Sequence, residues 1–150
     1  MKVEELAYMA GLFDGEGCIH IARINTKKRR LTYQLVCKVS MYNLPVLEML
    51  KEYFGGSIRR ESKDKIHNKY GLLHSWAIWG GNSTSFLKQL MPYLRIKKTQ
   101  ANLAIEFQSK KTVGAKRGRW GNSSKAEEAI ALEEQQYLLM RSLKKEVTNV

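Results

Sequence analysis

The 150 residues carry 26 Lys and Arg against 14 Asp and Glu, a net charge of +12, with 43% hydrophobic content. This is the profile of one soluble domain with a core of its own, whose excess charge repels itself unless it meets a polyanion, nucleic acid first. A membrane partner is excluded: no apolar run approaches the roughly 20 residues of a bilayer span, and no basic helix sets Trp or Phe opposite its charges.

The first predicted element is a helix that ends in Tyr8-Met9-Ala10-Gly11-Leu12-Phe13-Asp14-Gly15-Glu16-Gly17. Ala7, Gly11 and Gly15 recur every four residues on one face, where small residues let two helix backbones approach closely. Leu6, Met9, Leu12 and Phe13 suit a core. Asp14 and Glu16 lie at the carboxyl end, the end at which the helix dipole disfavours negative charge. A hard divalent cation, which takes carboxylate and carbonyl oxygens, would account for them. A solvated helix end followed by a turn would account for the same four letters without a metal.

A strand over Cys18–Asn25 follows, with Ile19 and Ile21 inward and Cys18, His20 and Ala22 outward. Arg23 and Ile24 break that parity, which places a bulge or strand end there. Lys27-Lys28-Arg29-Arg30 forms a basic hairpin tip, and Leu31–Met41 returns as a strand. Leu35, Cys37, Val39 and Met41 line one side of it, and Thr32, Gln34, Val36, Lys38 and Ser40 the other. No acid occurs from Ile19 to Asn43. A ribbon of that charge fits the DNA major groove, about 12 Å wide. Cys18 and Cys37 form no CxxC or Cys/His cluster, which argues against structural zinc and for a reducing, intracellular compartment. The N-terminal residues lack the apolar stretch of a signal peptide.

Asn43 caps a second helix, with Pro45 in its first turn, that runs to Phe54 and stops at Gly55-Gly56. A third strand, Ser57–Ser62, sets Arg59 and Glu61 opposite Ile58. After a polar loop, Lys63–Gly71, a fourth strand over Leu72–Trp79 turns Trp76 and Ile78 inward and Ser75 and Ala77 outward. Asn82 or Ser83 caps a third helix that ends before Pro92. A fourth helix covers about Lys97–Lys110, with Leu103, Ile105 and Phe107 toward the core. The Gly- and Lys/Arg-rich segment at 111–124, including Lys116, either embraces phosphates or simply connects. The last helix, 125–147, uses Ile130, Tyr137, Leu138 and Leu143 to pack on the body or along a partner. The order helix-strand-strand, helix-strand-strand, helices predicts a single α+β domain with a four-stranded antiparallel sheet. Helices cover one face of that sheet, and the other is polar and basic.

Met9 to Gly17 resembles the nine-position signature of the LAGLIDADG homing endonucleases. Ala10, Gly11, Leu12, Asp14 and Gly17 match; Met9 replaces the first leucine, and Phe13, Gly15 and Glu16 are mild substitutions. The chain is similar to the single-motif, homodimeric branch, whose αββαββα core, with its saddle-shaped sheet, would cover about residues 4–110. The resemblance implies that Glu16 is the essential ligand of Mg²⁺ or Mn²⁺, with Ca²⁺ a non-catalytic substitute, and that the Gly15 carbonyl assists it. Asp14 would cap and steady the paired helices. Lys97, with Lys98 in reserve, would polarise water or stabilise the phosphate in the transition state. Two positions depart from the family pattern. Glu16 stands where Asp is usual, and Met41 where dimers often carry Gln, with Ser40 and Asn43 as the nearby polar alternatives.

None of the GxSxG, P-loop or HExxH templates is present. Two chains meeting through Ala7, Gly11, Leu12 and Gly15 would join two sheets and set both Glu16 carboxylates near each other. Such a dimer would address a near-palindromic DNA target, because protein symmetry is mirrored in the half-sites, and the resemblance implies a double-strand break with 3′ overhangs in a long site. Arg23, Gln34, Lys38, Arg59, Glu61 and Ser75 are the base-edge candidates, with His20, Asn25, Thr32, Ser40 and Ala77 on the same surface. Lys27, Lys28, Arg29, Arg30 and Lys116 are the phosphate candidates. A maturase acting on intron RNA, a DNA-binding regulator on the same fold and a basic ribosome-associated protein are the alternatives. The presence of both acids favours the nuclease, since a pure binder has no need of them.

Overall fold

The computed structural model describes residues 1–26, 29–61, 71–114 and 127–148. Their order is α1 (Val3–Glu16), β1 (Gly17–Thr26), β2 (Arg29–Met41), α2 (Leu44–Phe54), β3 (Ser57–Arg60), β4 (His74–Trp79), α3 (Gly80–Leu90), α4 (Lys98–Gly114) and α5 (Glu127–Thr148). The strands form one antiparallel sheet in the order β1-β2-β4-β3. The expected αββαββα order is present, and α4 and α5 are added after it.

Alternation along the strands divides the sheet into two faces. Ile19, Ile21, Tyr33, Leu35, Cys37, Val39, Trp76 and Ile78 are buried in the core beneath the helices. Burial of the Cys37 thiol pushes its pKa well up, as expected for a cysteine held among apolar side chains. The anticipated irregularity near Arg23 and Ile24 is a register shift between Ile24 and Thr26.

Several boundaries differ from expectation. β3 ends at Arg60 rather than Ser62, although the Glu61 N–H still donates to the Leu73 carbonyl at 3.0 Å. β4 begins at His74 rather than Leu72. α3 starts at Gly80, ahead of Asn82 and Ser83, because Gly80 takes up φ +57° and turns the chain at once into the helix. Ser83 therefore lies inside α3, where its buried hydroxyl donates to the Ile78 carbonyl at 2.8 Å. α4 continues to Gly114, past the expected end at Lys110. On α5, Ile130, Tyr137 and Leu143 pack against the core as expected, but Leu138 is half exposed and Met140 is the side chain that inserts.

The aromatic cluster fixes the end of α1. Phe86 of α3 receives Phe13, Phe54 and Trp76 edge-on, at centroid distances of 5.0, 4.8 and 5.1 Å. Such pairs add about 0.5–1.5 kcal/mol each beyond the area they bury. The Trp76 indole donates to the Gly55 carbonyl at 2.8 Å, which secures the turn after α2. Gly56, at φ +85°, is obligatory there, since a Cβ would overlap the Ala77 carbonyl. At its other end α1 is tied to α2: Glu5 accepts from the Lys2 backbone N–H at 2.8 Å and from the Tyr53 hydroxyl at 3.0 Å.

Candidate active site and nucleic-acid interface

Phe13 in the core directs the next residue, Asp14, toward the segment that leads into α4. Asp14 is buried and accepts backbone N–H bonds from Arg95 (2.7 Å), Ile96 (3.2 Å) and Lys97 (3.0 Å). A carboxylate at the amino end of α4 suits that helix's dipole, which answers the unfavourable placement at the end of α1. The Lys97 ammonium in turn donates to the Asp14 backbone carbonyl. Burial lowers the Lys97 pKa, and the charge of Asp14 acts in the opposite direction. Asp14 and Lys97 thus lock the end of α1 to the start of α4.

Glu16, two residues on, is exposed. Among the described residues no hydrogen bond or ion pair reaches its carboxylate. Gly17 then turns into β1, and a Cβ there would overlap the Phe13 ring, so only glycine lets the chain leave the helix this closely. No cluster of three or more His, Cys, Asp or Glu able to hold a metal occurs among the described residues. The donors that the chain offers there are hard oxygens, the Glu16 carboxylate and the Gly15 carbonyl. These suit Mg²⁺, which is bound through one or two carboxylates while phosphates and water complete its shell.

The small-residue face of α1 is open. Ala7, Gly11 and Gly15 are exposed, and Leu12 is half-buried against the core. A Cβ on Gly11 or Gly15 would meet nothing within 4 Å. The packing among the described residues of the chain therefore gives no reason for either glycine.

The outer sheet face brings several expected residues together. Lys38 of β2 donates to Glu61 at 3.0 Å, Ser75 of β4 donates to the same carboxylate, and the Ser40 and Ser75 hydroxyls are 2.7 Å apart. Ser75 is buried beneath this network, so it supports Glu61 instead of offering an open hydroxyl. Arg59 is exposed beside it, in register with Ser75. His20, Thr32, Gln34 and Ala77 are half-buried on this surface.

Arg23 departs from its expected place. It shares the parity of Ile19 and Ile21, and its guanidinium is 3.5 Å from Glu134 of α5, on the helix side. Glu134 also accepts from the Tyr33 hydroxyl. Asn25 lies at the bulge. Arg29 and Arg30 open β2, whereas Lys27, Lys28 and Lys116 lie outside the described residues.

One contact was not foreseen. Lys144 of α5 is 2.9 Å from the thiol of Cys18, which is also 3.9 Å from His20 Nδ1. Together His20 and Lys144 bring the Cys18 pKa down to about 7 against the effect of burial. Nothing in the periodicity of α5 sets Lys144 apart from Lys145, so only the packing of the helix reveals it.

The model of the LAGLIDADG endonuclease family matches residues 9–108. The DNA endonuclease I-CvuI of Chlorella vulgaris is 23% identical over 108 residues, 69% of this chain and 63% of its own, so the match spans less than two thirds of that relative. The crystal structure of I-CvuI with DNA in the presence of Mg superposes with a TM-score of 0.66 at 21% identity, covering 98% of this chain and 96% of that one. The archaeal intron-encoded homing endonuclease I-Vdi141I, complexed with DNA, gives 0.73 at 15% identity, covering 93% and 84%. At these identities the likeness of the solved structures establishes the fold.

Proposed function

The chain belongs to the LAGLIDADG endonuclease family, and from that premise we propose that it is a site-specific homing endonuclease. It acts as a homodimer, depends on a divalent cation and makes a double-strand break with 3′ overhangs in a long, near-palindromic DNA site. The observation that carries this reading is the contrast at the end of α1: Asp14 is consumed by backbone bonds, while the Glu16 carboxylate stays open to solvent beside the anchored Lys97.

Pairing of the open Ala7, Gly11 and Gly15 faces supplies the second protomer. It brings two Glu16 carboxylates together and lays two outer sheet faces along one duplex. Glu16 and the Gly15 carbonyl would hold a divalent cation such as Mg²⁺, which would supply an activated water and neutralise charge on the departing oxygen. The water oxygen would bond to phosphorus and give up a proton to solvent as the bond to the departing sugar oxygen breaks, and that oxygen would keep the electron pair and take up a proton. Lys97, held by Asp14, presents positive charge to the phosphate. Lys38, oriented by Glu61, and Arg59 read base edges in the major groove.

The test is selection of bound duplexes from a random pool, followed by cleavage mapping in Mg²⁺. The expected result is one near-palindromic consensus cut on both strands with a 3′ stagger. Tight, specific binding without cutting would instead support the regulator or maturase reading.

A further inference from the structure

We propose that Lys144 of the C-terminal helix is a further phosphate-contacting cation of the cleavage site, an assignment that rests on the nuclease reading above. Cys18 alternates with Ile19 and Ile21, which are buried in the core, so its side chain belongs to the outer, DNA-facing side of the sheet with His20. β1 is an edge strand. α5 packs on the opposite, helix-covered side through Tyr137, Met140 and Leu143. Lys144, next to core-facing Leu143, therefore passes the free edge of β1 to place its ammonium 2.9 Å from the Cys18 thiol. That position is two residues beyond Glu16.

Two lysines from different elements thus converge on the end of α1: Lys97 from the entry to α4, and Lys144 from α5. Burial is the chief cause of the lowered Lys97 pKa; Asp14 and Cys18 act against it, and the charge of Lys144 adds a smaller lowering. A phosphodiester brought to Glu16 finds both ammonium groups within reach of its non-bridging oxygens, which accept from them. α5 lies outside the residues matched by the family model. The site consequently draws on a part of the chain that the signature does not define.

The experiment compares the full-length protein with K144M and K144R on the selected duplex. Without metal, binding is measured as a function of salt. Each lost phosphate contact lowers the log–log slope by about 0.9, so K144M should show a shallower dependence, with K144R restoring it. In Mg²⁺, single-turnover cleavage by K144M should fall about 10- to 100-fold, while K144R stays within about threefold of the parent. Melting curves establish that the variants are folded. If K144M does not melt cooperatively, K144Q supplies the same readouts. A K144M protein with the parent's salt slope and cleavage rate overturns the proposal. Equal loss in K144M and K144R also overturns it, since that marks a packing role. A parent that binds but never cuts defeats the nuclease reading, and the salt slope then decides the phosphate contact separately.

Discussion

The end of α1 and the outer face of the sheet each place an acid among bases, and they hold it by different means. Asp14 is gripped by the backbone N–H groups of Arg95, Ile96 and Lys97, which no side-chain substitution removes. Glu61 is held by Lys38 and Ser75, side chains from two other strands, and each can be exchanged singly. The first arrangement fixes geometry whatever the target. The second is editable without disturbing the sheet. On the proposed function, chemistry is thus anchored in main-chain bonds and recognition in side chains, and the variants below break or sharpen that division.

Glu16 apart, the largest effect is expected where two chains would pair. Gly11→Leu fills the open face of α1 without touching its own protomer, since nothing lies within 4 Å of a Cβ there. Sedimentation should show monomers, and cleavage should fall more than about 100-fold because a lone protomer has half a site. A Gly11→Leu dimer that cuts normally would refute pairing through this face. Lys97→Met should slow single-turnover cleavage about 100-fold with little change in binding. A loss of affinity as large as the loss in rate would instead make Lys97 a DNA-binding group.

Asp14→Ala should reduce stability by about 2–4 kcal/mol, read as a lower denaturation midpoint, because three backbone donors lose a charged acceptor. Wild-type stability would show that the lock contributes nothing. Glu61→Ala should leave the melting curve unchanged within about 0.5 kcal/mol. It should change base preference at one symmetric pair of positions by about 5- to 30-fold, since it frees Lys38. An unchanged consensus would show that the network does not face the bases.

Much of this was legible in the sequence because it follows from local chemistry. The period-2 alternation of Ile19, Ile21, Leu35, Cys37 and Val39 marked the inner face, the Gly55-Gly56 pair ended α2, and the motif placed Asp14 and Glu16 at a helix end. What stayed hidden was whatever depends on non-local partners. Arg23 looked like an outward base because its parity was ambiguous, yet Glu134, more than a hundred positions away, pairs with it on the helix side. Ser75 read as an open hydroxyl because alternation gives a face and not a depth. Tyr33 attracted no attention, although its buried ring and hydroxyl join β2 to α5. The start of α3 at Gly80 escaped because a left-handed glycine can turn the chain before any side-chain cap is reached.

The most direct test of the central claim is Glu16→Gln on the selected duplex, with affinity in Ca²⁺ and cleavage in Mg²⁺ measured on the same preparation. The account predicts unchanged binding to within about threefold and cleavage reduced by at least about 1,000-fold on both strands. Cutting by the Glu16→Gln variant at the parental rate would contradict it.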